Sequence, residues 1–205
     1  MSVFIRSATA ADTAAIAENY FQAHQHLGWF QHVNVDADPN DLKAFFQSIV
    51  QAIQKVKGVT LVAEKGGQLV GHLLGWERAS DSAVETALPN PYYDPNVTVG
   101  IRGRVCSRWV NQQADIRRFC GQMGSGRFFY VDSVAVLPQY QRQGIGRLLF
   151  QKAIEEARSS GLAVGLVAPP ESAPFFEKLG LQRAAELITS RDDGRFQLIP
   201  MSLRA

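Results

Sequence analysis

The sequence is poor in cysteine, in long apolar runs and in net charge, and each shortage excludes a class of protein. Two cysteines, Cys106 and Cys120, can form at most one bridge, so no disulfide scaffold is indicated. No apolar run reaches the roughly 18–20 residues that cross a bilayer. The N-terminal residues lack a basic segment followed by an apolar core, so we expect no signal peptide, no membrane partner and a cytoplasmic protein.

The composition is that of an ordinary globular chain. Of its 205 residues, 46% are hydrophobic and 20% are charged, and the formal net charge is +2. This length suits one α/β domain with a substantial core, and is short for two domains. We therefore expect a single domain over residues 1–205.

Positive charge is concentrated between residues 102 and 127. This region holds one acid, Asp115, and six arginines: Arg102, Arg104, Arg108, Arg117, Arg118 and Arg127. The segment is either a solvated helix surface or a basic face for phosphates, an acidic partner or nucleic acid. The weak total charge argues against nucleic acid as the partner.

Hydrophobic periodicity and turn residues predict a mixed α/β chain with more strands than helices. The predicted strands are Val3–Arg6, Thr60–Glu64, Gln68–Trp76, Phe128–Leu137, Leu162–Ala168, Leu181–Thr189 and Phe196–Leu203. The predicted helices run from Asp12 or Thr13 to about Gln25, and then over Leu42–Lys57, Val105–Cys120, Gly144–Arg158 and Glu171–Leu179. The Gly66-Gly67 and Asp193-Gly194 pairs predict hairpin turns. Residues 24–41 are interpreted as a loop and residues 78–127 as an insertion.

The most informative segment is a strand, a six-residue loop and a helix that opens with Gly144-Ile145-Gly146. Glycines at this place let a ligand approach the backbone. The first N–H groups of a helix have no helical acceptor and carry a partial positive charge, which suits a phosphate. Arg142 and Arg147 add guanidinium donors. A dinucleotide fingerprint would need Gly or Ala at Leu149, and a P-loop would need Gly-Lys-Ser/Thr, so the segment matches neither motif.

Two motifs resemble those of the GNAT superfamily of N-acetyltransferases. The first is a strand followed by Gln/Arg-x-x-Gly-x-Gly/Ala, here Gln141-Arg142-Gln143-Gly144-Ile145-Gly146. The second is an aromatic helix that ends at a glycine and an apolar residue, here 174–181. The resemblance covers nearly the whole chain apart from the insertion. It implies a mixed α/β, GNAT-like acyl-CoA N-acyltransferase fold. Such a fold has a mostly antiparallel sheet of about six to seven strands and four to five helices, splayed between strands 128–137 and 162–168.

The resemblance also implies that acetyl-CoA is the acetyl donor. The pantetheine arm would lie in the splay and pair with exposed backbone of the motif strand. The pyrophosphate would lie on N–H groups of the loop. The implied coenzyme-binding residues are Val134, Ala135, Val136, Gln141, Arg142, Gln143, Gly144, Ile145, Gly146, Arg147 and Phe176.

The implied reaction is direct attack of a neutral primary amine on the thioester, with the Val136 N–H as oxyanion donor. Deprotonating an alkylamine of pKa about 10.4 at pH 7 costs about 4–5 kcal/mol, so a base is useful. Asp132 is the first candidate because it lies in an apolar strand four residues before Val136, a spacing that predicts one shared face. An ion pair with Arg127 is its alternative role. Glu77 is the second candidate, and an exposed strand end is its alternative.

The general acid is not assigned, because Phe176 stands where many family members have a tyrosine and carries no hydroxyl. Water or Ser172 would then protonate the thiolate, or the chain is an acyl-CoA-binding sensor without transferase activity. We expect a small-molecule amine as the acceptor, with a protein or peptide amine as the alternative. A homodimer is a further expectation, because dimers are common in the family.

Three histidines and two aromatic residues lie between the first two predicted helices: His24, His26, Trp29, Phe30 and His32. His24 and His26 are two positions apart, so they would not share a helix face. No Cys or carboxylate spacing completes a zinc site, so no metal is expected. In the family this segment lines the acceptor site. Ordinary packing in the core is the alternative.

Overall fold

A mostly antiparallel sheet is the centre of this computed structural model, which describes residues 2–34, 37–56, 58–79, 126–184, 188–189 and 197–203. Its strands are β1 (Val3–Ser7), β2 (Val59–Lys65), β3 (Gln68–Ala79), β4 (Arg127–Val136), β5 (Ala163–Ala168), β6 (Gln182–Arg183), β7 (Ile188–Thr189) and β8 (Gln197–Leu203). They follow the order β1-β2-β3-β4-β5-β8-β6, and β7 also pairs with β8. Only the β4–β5 pair is parallel among these described strands. The predicted fold class is confirmed.

Two hairpins were predicted from glycine-containing dipeptides. Gly66 and Gly67 join β2 to β3 with φ values of 60° and 80°, which only glycine adopts readily at both positions, so this turn is confirmed. At the end of the chain, Ile188 pairs with Leu198 in an antiparallel ladder, as a hairpin requires. The Asp193-Gly194 turn itself lies outside the described residues.

Five helices flank the sheet within the described part of the chain. They are α1 (Thr13–His24), α2 (Gly28–Val33), α3 (Pro39–Lys55), α4 (Ile145–Ser159) and α5 (Ala173–Glu177), with short 3-10 turns at Ala10–Asp12 and Pro138–Tyr140. None of them has the length and apolar character needed to cross a membrane. The interpretation of residues 24–41 as a loop is wrong, because α2 occupies part of it.

Helix α3 begins three residues earlier than predicted. Its N-cap is Asp38, whose side chain accepts a 2.8 Å hydrogen bond from the Asn40 N–H. Pro39 occupies the first helical position, where its fixed φ favours the helix and its missing N–H costs nothing. Asn40 and Asp41, which directly precede the predicted helix start at Leu42, therefore lie inside the first turn.

Each face of the sheet carries its own hydrophobic core. On one face, α1, α2 and α3 cover what we call the α1-side core, which includes Ile16, Tyr20, Phe30, Phe46, Ile49, Leu74, Trp76 and Tyr130. On the other face, α4 and α5 cover the α4-side core, which includes Leu73, Phe129, Val131, Leu149, Phe150, Leu166 and Phe176. Side chains of a strand alternate between the faces, so the core to which a residue belongs reports its direction.

The predicted insertion 78–127 is bounded by paired strands. Strand β3 continues to Ala79, which pairs with Arg127 at the start of β4, so both ends of the insertion belong to the sheet. The predicted helix Val105–Cys120, both cysteines and the other five arginines of the basic segment 102–127 lie outside the described residues.

Candidate functional site

A gap opens between β4 and β5, the two parallel strands at the centre of the sheet. They pair only at three positions, from Phe128 with Ala163 to Tyr130 with Gly165. Beyond this point β5 continues to pair with β8 on its other side, as far as Ala168. The second half of β4 therefore has no neighbouring strand on its β5 side among the described residues, and the predicted splay is confirmed.

The register of β3 and β4 determines which peptide groups face this gap. The Leu137 N–H donates a 2.9 Å hydrogen bond to the Val70 carbonyl oxygen, so these two residues form a hydrogen-bonded pair. Antiparallel ladders alternate such pairs with pairs that exchange no hydrogen bond. Val136, opposite Gly71, and Val134, opposite Leu73, fall at the second kind of position. Their N–H and C=O groups therefore point away from β3 and into the gap.

Ala135 lies between these two valines and is oriented the other way. It pairs with His72, so its peptide groups belong to the β3 ladder, and its side chain is buried. Of the three strand residues implied to bind the coenzyme, Val134 and Val136 thus present backbone to the gap. Ala135 does not, because its N–H and C=O groups face β3.

The loop after β4 leads into α4, whose first N–H groups have no helical acceptor. Gly144 is the N-cap in a left-handed conformation with φ of 81°, and it has no side chain to cap the helix. The first helical hydrogen bond runs from the Leu148 N–H to the Gly144 carbonyl at 3.1 Å, so the N–H groups of Ile145, Gly146 and Arg147 precede it. A Cβ built on Gly144 would meet no atom within 4 Å. The backbone here is open to a ligand.

Side chains of the loop hold it against its neighbours. Gln141 Nε2 donates a 3.0 Å hydrogen bond to the Val136 carbonyl oxygen, and Lys65 Nζ donates one of 2.8 Å to Gln143 Oε1. The side chains of Arg142 and Arg147 are exposed. Helix N–H groups without a helical acceptor, next in sequence to two exposed arginines, suit a diphosphate, so the chemistry of this donor set fits the coenzyme's pyrophosphate.

Two adjacent aromatic residues of α5, Phe175 and Phe176, differ in burial and in their distance from the start of α4. Phe176 is 8% exposed and packs edge-to-face on Phe150, with ring centroids 5.5 Å apart. Phe175 is 36% exposed, and its ring lies 3.4 Å from the place that a Cβ on Gly146 would occupy. The aromatic ring beside the helix start is therefore Phe175, which sequence reasoning missed. A coenzyme contact of Phe176 stays a prediction.

A β-bulge lies at Asp132, the first candidate base. Leu74 pairs with Ser133 and Gly75 with Val131, so Asp132 is the extra residue of β4. The charge of Asp132 adds to burial in raising the pKa of Tyr20 well above its ordinary value, which places the carboxylate on the α1 side of the sheet. The bulge thereby reverses the alternation of side chains beyond it.

The prediction that Asp132 and Val136 share a face is therefore wrong. Val136 packs against the α4-side core, with its Cγ2 atom 3.3 Å from where a Cβ on Gly71 would lie. The four-residue spacing would have held in a regular strand. A single extra residue turns the two side chains to opposite sides.

Glu77, the second candidate base, lies apart from Asp132. It follows Trp76 of the α1-side core in β3, and it is opposite Phe129 of the α4-side core, so it faces the α4 side. Its Oε1 atom forms a 3.0 Å ion pair with Arg127. The arginine that was considered as a partner of Asp132 thus pairs with Glu77, and the structure does not bring the two candidates together.

A chain of buried polar side chains joins α1 to the bulge. His72 Nδ1 is hydrogen-bonded to Asn19 Oδ1, and His72 Nε2 lies 3.2 Å from Ser133 Oγ. All three residues are buried, with exposed fractions of 2% for Asn19, 0% for His72 and 5% for Ser133. Burial and, to a smaller extent, the nearby His24 lower the pKa of His72 to about 3. Sequence reasoning missed this chain, whose members are distant in sequence.

The histidine and aromatic segment is divided between core and surface. His24 Nδ1 donates a 2.8 Å hydrogen bond to the Tyr20 carbonyl oxygen, and burial lowers the pKa of His24 to about 4. Phe30 is 2% exposed in the α1-side core, which agrees with the packing alternative for this residue, whereas His26 is exposed. The side chains of Trp29 and His32 lie outside the described residues.

No group of three or more His, Cys, Asp or Glu side chains in the described residues is arranged to hold a metal ion.

Comparison with known proteins connects this geometry to a family. Residues 21–181 match the model of the acetyltransferase (GNAT) family. The chain is similar in structure to the histone acetyltransferase HPA2 and related acetyltransferase from Corynebacterium glutamicum, with a TM-score of 0.67, 22% identity, and coverage of 100% of this chain and 98% of that one. A comparison with curated proteins by sequence gave no match.

Two further solved structures share the fold. The polyamine N-acetyltransferase of Drosophila melanogaster, which forms N-acetylagmatine, has a TM-score of 0.65 and 14% identity, with 100% of both chains covered. A GNAT family acetyltransferase from Brucella melitensis in complex with acetyl-CoA has a TM-score of 0.52 and 17% identity. That match covers 96% of this chain and 86% of the other. At these identities, the likeness shows the fold.

Proposed function

Because the chain belongs to the acetyltransferase (GNAT) family, we propose that it transfers the acetyl group of acetyl-CoA to the primary amine of a small molecule. The chain is an N-acetyltransferase that uses acetyl-CoA. The class of acceptor and a direct attack of the neutral amine on the thioester are the proposal. The observation that carries it is the gap beside β4, where peptide groups of a central strand are directed at no other strand among the described residues.

The gap and the loop support one placement of the coenzyme. Val134 and Val136 present peptide groups that a pantetheine arm, itself made of amides, can pair with in the manner of a strand. Gly144, Ile145, Gly146 and Arg147 offer N–H groups to the pyrophosphate. The remaining loop residues, Gln141, Arg142 and Gln143, hold the loop or add positive charge. Bound there, acetyl-CoA supplies an activated acyl group.

Asp132 is the favoured proton acceptor. It lies at the bulge, beside the stretch of β4 that faces the gap, and on the side covered by α1. A carboxylate at this place attracts an ammonium group and takes up its proton directly or through a water molecule. Glu77 is the weaker candidate, because Arg127 already neutralises its charge on the other face.

A small amine is favoured over a protein amine by the place of this carboxylate. Asp132 is half-buried next to the aromatic residues of the α1-side core, which suits a single ammonium group with an apolar neighbour. Polyamine acetylation by a protein of the same fold is in line with this chemistry. A protein or peptide amine stays the alternative, in line with the histone acetyltransferase among the similar structures.

A second function is favoured by one observation. Phe176 lacks the hydroxyl with which a tyrosine would protonate the departing thiolate. A chain that binds acyl-CoA and transfers nothing would act as a sensor.

We further propose one catalytic domain over residues 1–205, acting in the cytoplasm as a monomer or homodimer. Both helical layers pack on a single sheet, which supports one domain. Light scattering of the purified protein would determine the oligomeric state.

The decisive experiment measures thiol release from acetyl-CoA with a panel of amines. The panel contains a polyamine, an arylalkylamine, an amino acid, an amino sugar and a peptide with a free N-terminus. We expect release with at least one small amine, above the rate of hydrolysis without amine. Activity with the peptide alone would favour the protein acetyltransferase. Binding of acetyl-CoA with no release from any amine would favour the sensor.

A further inference from the structure

The buried chain Asn19–His72–Ser133 connects three elements at the bulge. Asn19 belongs to α1, His72 to β3 and Ser133 to β4, where Ser133 is the residue directly after Asp132. His72 and Ser133 are diagonal neighbours across the two strands, because His72 pairs with Ala135 and Ser133 with Leu74. The ring thus bridges a helix and two strands through side chains alone.

The hydrogen-bonding capacity of these groups fixes the position of each proton. A carbonyl oxygen such as Asn19 Oδ1 only accepts, so His72 Nδ1 carries the hydrogen and donates it. Because burial lowers the pKa of His72, the ring carries no second proton near pH 7, so Nε2 is an acceptor and the Ser133 hydroxyl donates to it across 3.2 Å. The ring is neutral and has a single tautomer. Its lone pair is occupied by Ser133, so it is not available as a base.

The same ring also contacts Tyr20, whose pKa is raised by burial and in part by the charge of Asp132. Its plane stacks on Tyr20 at a centroid distance of 5.7 Å and an angle of 14°. Tyr20 in turn stacks on Phe46 of α3 at 4.2 Å. Motion of the His72 ring would therefore be transmitted both to Ser133, next to Asp132 in the chain, and to Tyr20, which feels the charge of Asp132.

We propose that His72, held by Asn19, is a positioning residue that fixes the bulge of β4 through Ser133 and so orients the Asp132 carboxylate towards the acceptor amine. This inference rests on the proposed role of Asp132 as proton acceptor. A bulge residue is outside the regular register, so its side-chain direction needs a restraint other than the ladder. Val134 and Ala135, in contrast, belong to the regular part of the β3 register. The tether formed by Asn19, His72 and Ser133 should therefore affect kcat and leave acetyl-CoA binding unchanged.

The test is a double-mutant cycle on kcat with Ser133→Ala and Asp132→Asn, using the best amine of the panel. Displacing a reacting group by a fraction of an ångström costs about tenfold or more in rate, so we expect Ser133→Ala to lower kcat about tenfold. KM for acetyl-CoA should stay within about twofold, because the register of Val134 and Ala135 is kept. In the Asp132→Asn background the same change should lower kcat by less than about twofold, because the tether acts through Asp132.

Two further variants separate positioning from folding. Ser133→Thr keeps the hydroxyl and the strand preference, so it should restore kcat to within about threefold of the unmodified enzyme. His72→Phe keeps the stack on Tyr20 and loses both hydrogen bonds, so it should reproduce Ser133→Ala if the protein remains folded by circular dichroism. Multiplicative effects of Ser133→Ala and Asp132→Asn, or a failure of Ser133→Thr to restore kcat, would overturn the positioning role while Asp132 keeps its own. An unchanged kcat in Asp132→Asn alone would overturn the role of Asp132, and this inference with it.

Discussion

The side-chain amide of Gln141 donates a hydrogen bond of 3.0 Å to the carbonyl oxygen of Val136. This contact joins the first residue of the Gly-rich loop motif to the last residue of β4. The Gln141 amide thus occupies the Val136 carbonyl oxygen, which is one of the groups directed into the gap. The Val136 N–H still faces the gap. The strand end and the loop that leads to α4 are therefore set in one arrangement before a ligand arrives, which reduces the entropy lost on binding.

Gln141→Ala is expected to weaken acetyl-CoA binding. A hydrogen bond of this kind contributes about 0.5–1.5 kcal/mol, so the Kd measured by calorimetry should rise about two- to tenfold. Gln151→Ala is the matched control, because Gln151 is an exposed glutamine on α4, the helix that follows the loop. Equal Kd values for Gln141→Ala and the unmodified protein would show that the contact does not organise the site.

Gly144→Trp should abolish the rise in melting temperature that acetyl-CoA produces. Gly161→Trp is a matched control, because Gly161 is also exposed, has a positive φ of 68° and would give a Cβ no neighbour within 4 Å. Both changes impose similar backbone strain of about 1–2 kcal/mol. The two glycines flank α4 and are 17 positions apart, so they are separated by about 25 Å. Only Gly144→Trp should lose the ligand-induced shift, and a retained shift would mean that the coenzyme uses another loop.

The parts of the fold that were predicted correctly are those fixed by local chemistry. Gly66 and Gly67 have the positive φ values that their turn requires, and Gly144 opens α4 in a left-handed conformation. Helix α4 could be predicted from its apolar stripe, because its buried residues recur with the helical period. Motif spacing then located the gap beside β4, since a central strand and a helix start are both encoded over short distances.

What the sequence could not predict depends on contacts between distant segments. The bulge at Asp132 exists only in relation to Leu74 and Gly75 of β3, so the strand alone looked regular. The chain from Asn19 through His72 to Ser133 spans up to 61 positions in a single contact, which no periodicity reports. These two features decide which way the candidate base points. The gap and the start of α4 were therefore easier to predict than the direction of the candidate base.

The stability of the fold should fall as the pH drops below about 6.5, partly because of His72. Burial holds the pKa of this residue at about 3, against about 6.5 in the unfolded chain. Between these two values the unfolded state binds a proton that the folded state does not, so folding loses up to about 1.4 kcal/mol per pH unit from this group. Above pH 6.5 the group is neutral in both states and contributes no pH dependence.

His72→Gln tests this statement by urea unfolding at pH 7.5, 6.0 and 5.0. The variant should be less stable than the unmodified protein at pH 7.5, because its buried hydrogen bonds are disturbed. The difference in the free energy of unfolding between the two proteins should shrink towards pH 5.0, because the variant has no imidazole to protonate at this position. His24, whose pKa is lowered to about 4, is present in both proteins and cancels. A difference that stays constant with pH would contradict the assignment of a neutral, buried ring.

Asp132→Asn and Glu77→Gln distinguish the two candidate bases. If Asp132 takes up the amine proton, its replacement should lower kcat at pH 7 by about 10²–10⁴-fold, the range found for general bases. The decrease in kcat should become smaller as the pH approaches about 10, where much of an alkylamine is neutral without a general base. Glu77→Gln breaks a part-exposed ion pair with Arg127 whose loss should cost at most about 1 kcal/mol of folding stability, and Glu77 faces the side of the sheet opposite to Asp132, so kcat should change by less than about twofold. An unchanged acetyl-CoA Kd in both variants would show that the site is intact. A large loss in Glu77→Gln, or a loss in Asp132→Asn that is the same at every pH, would mean that the proton leaves the amine by another route.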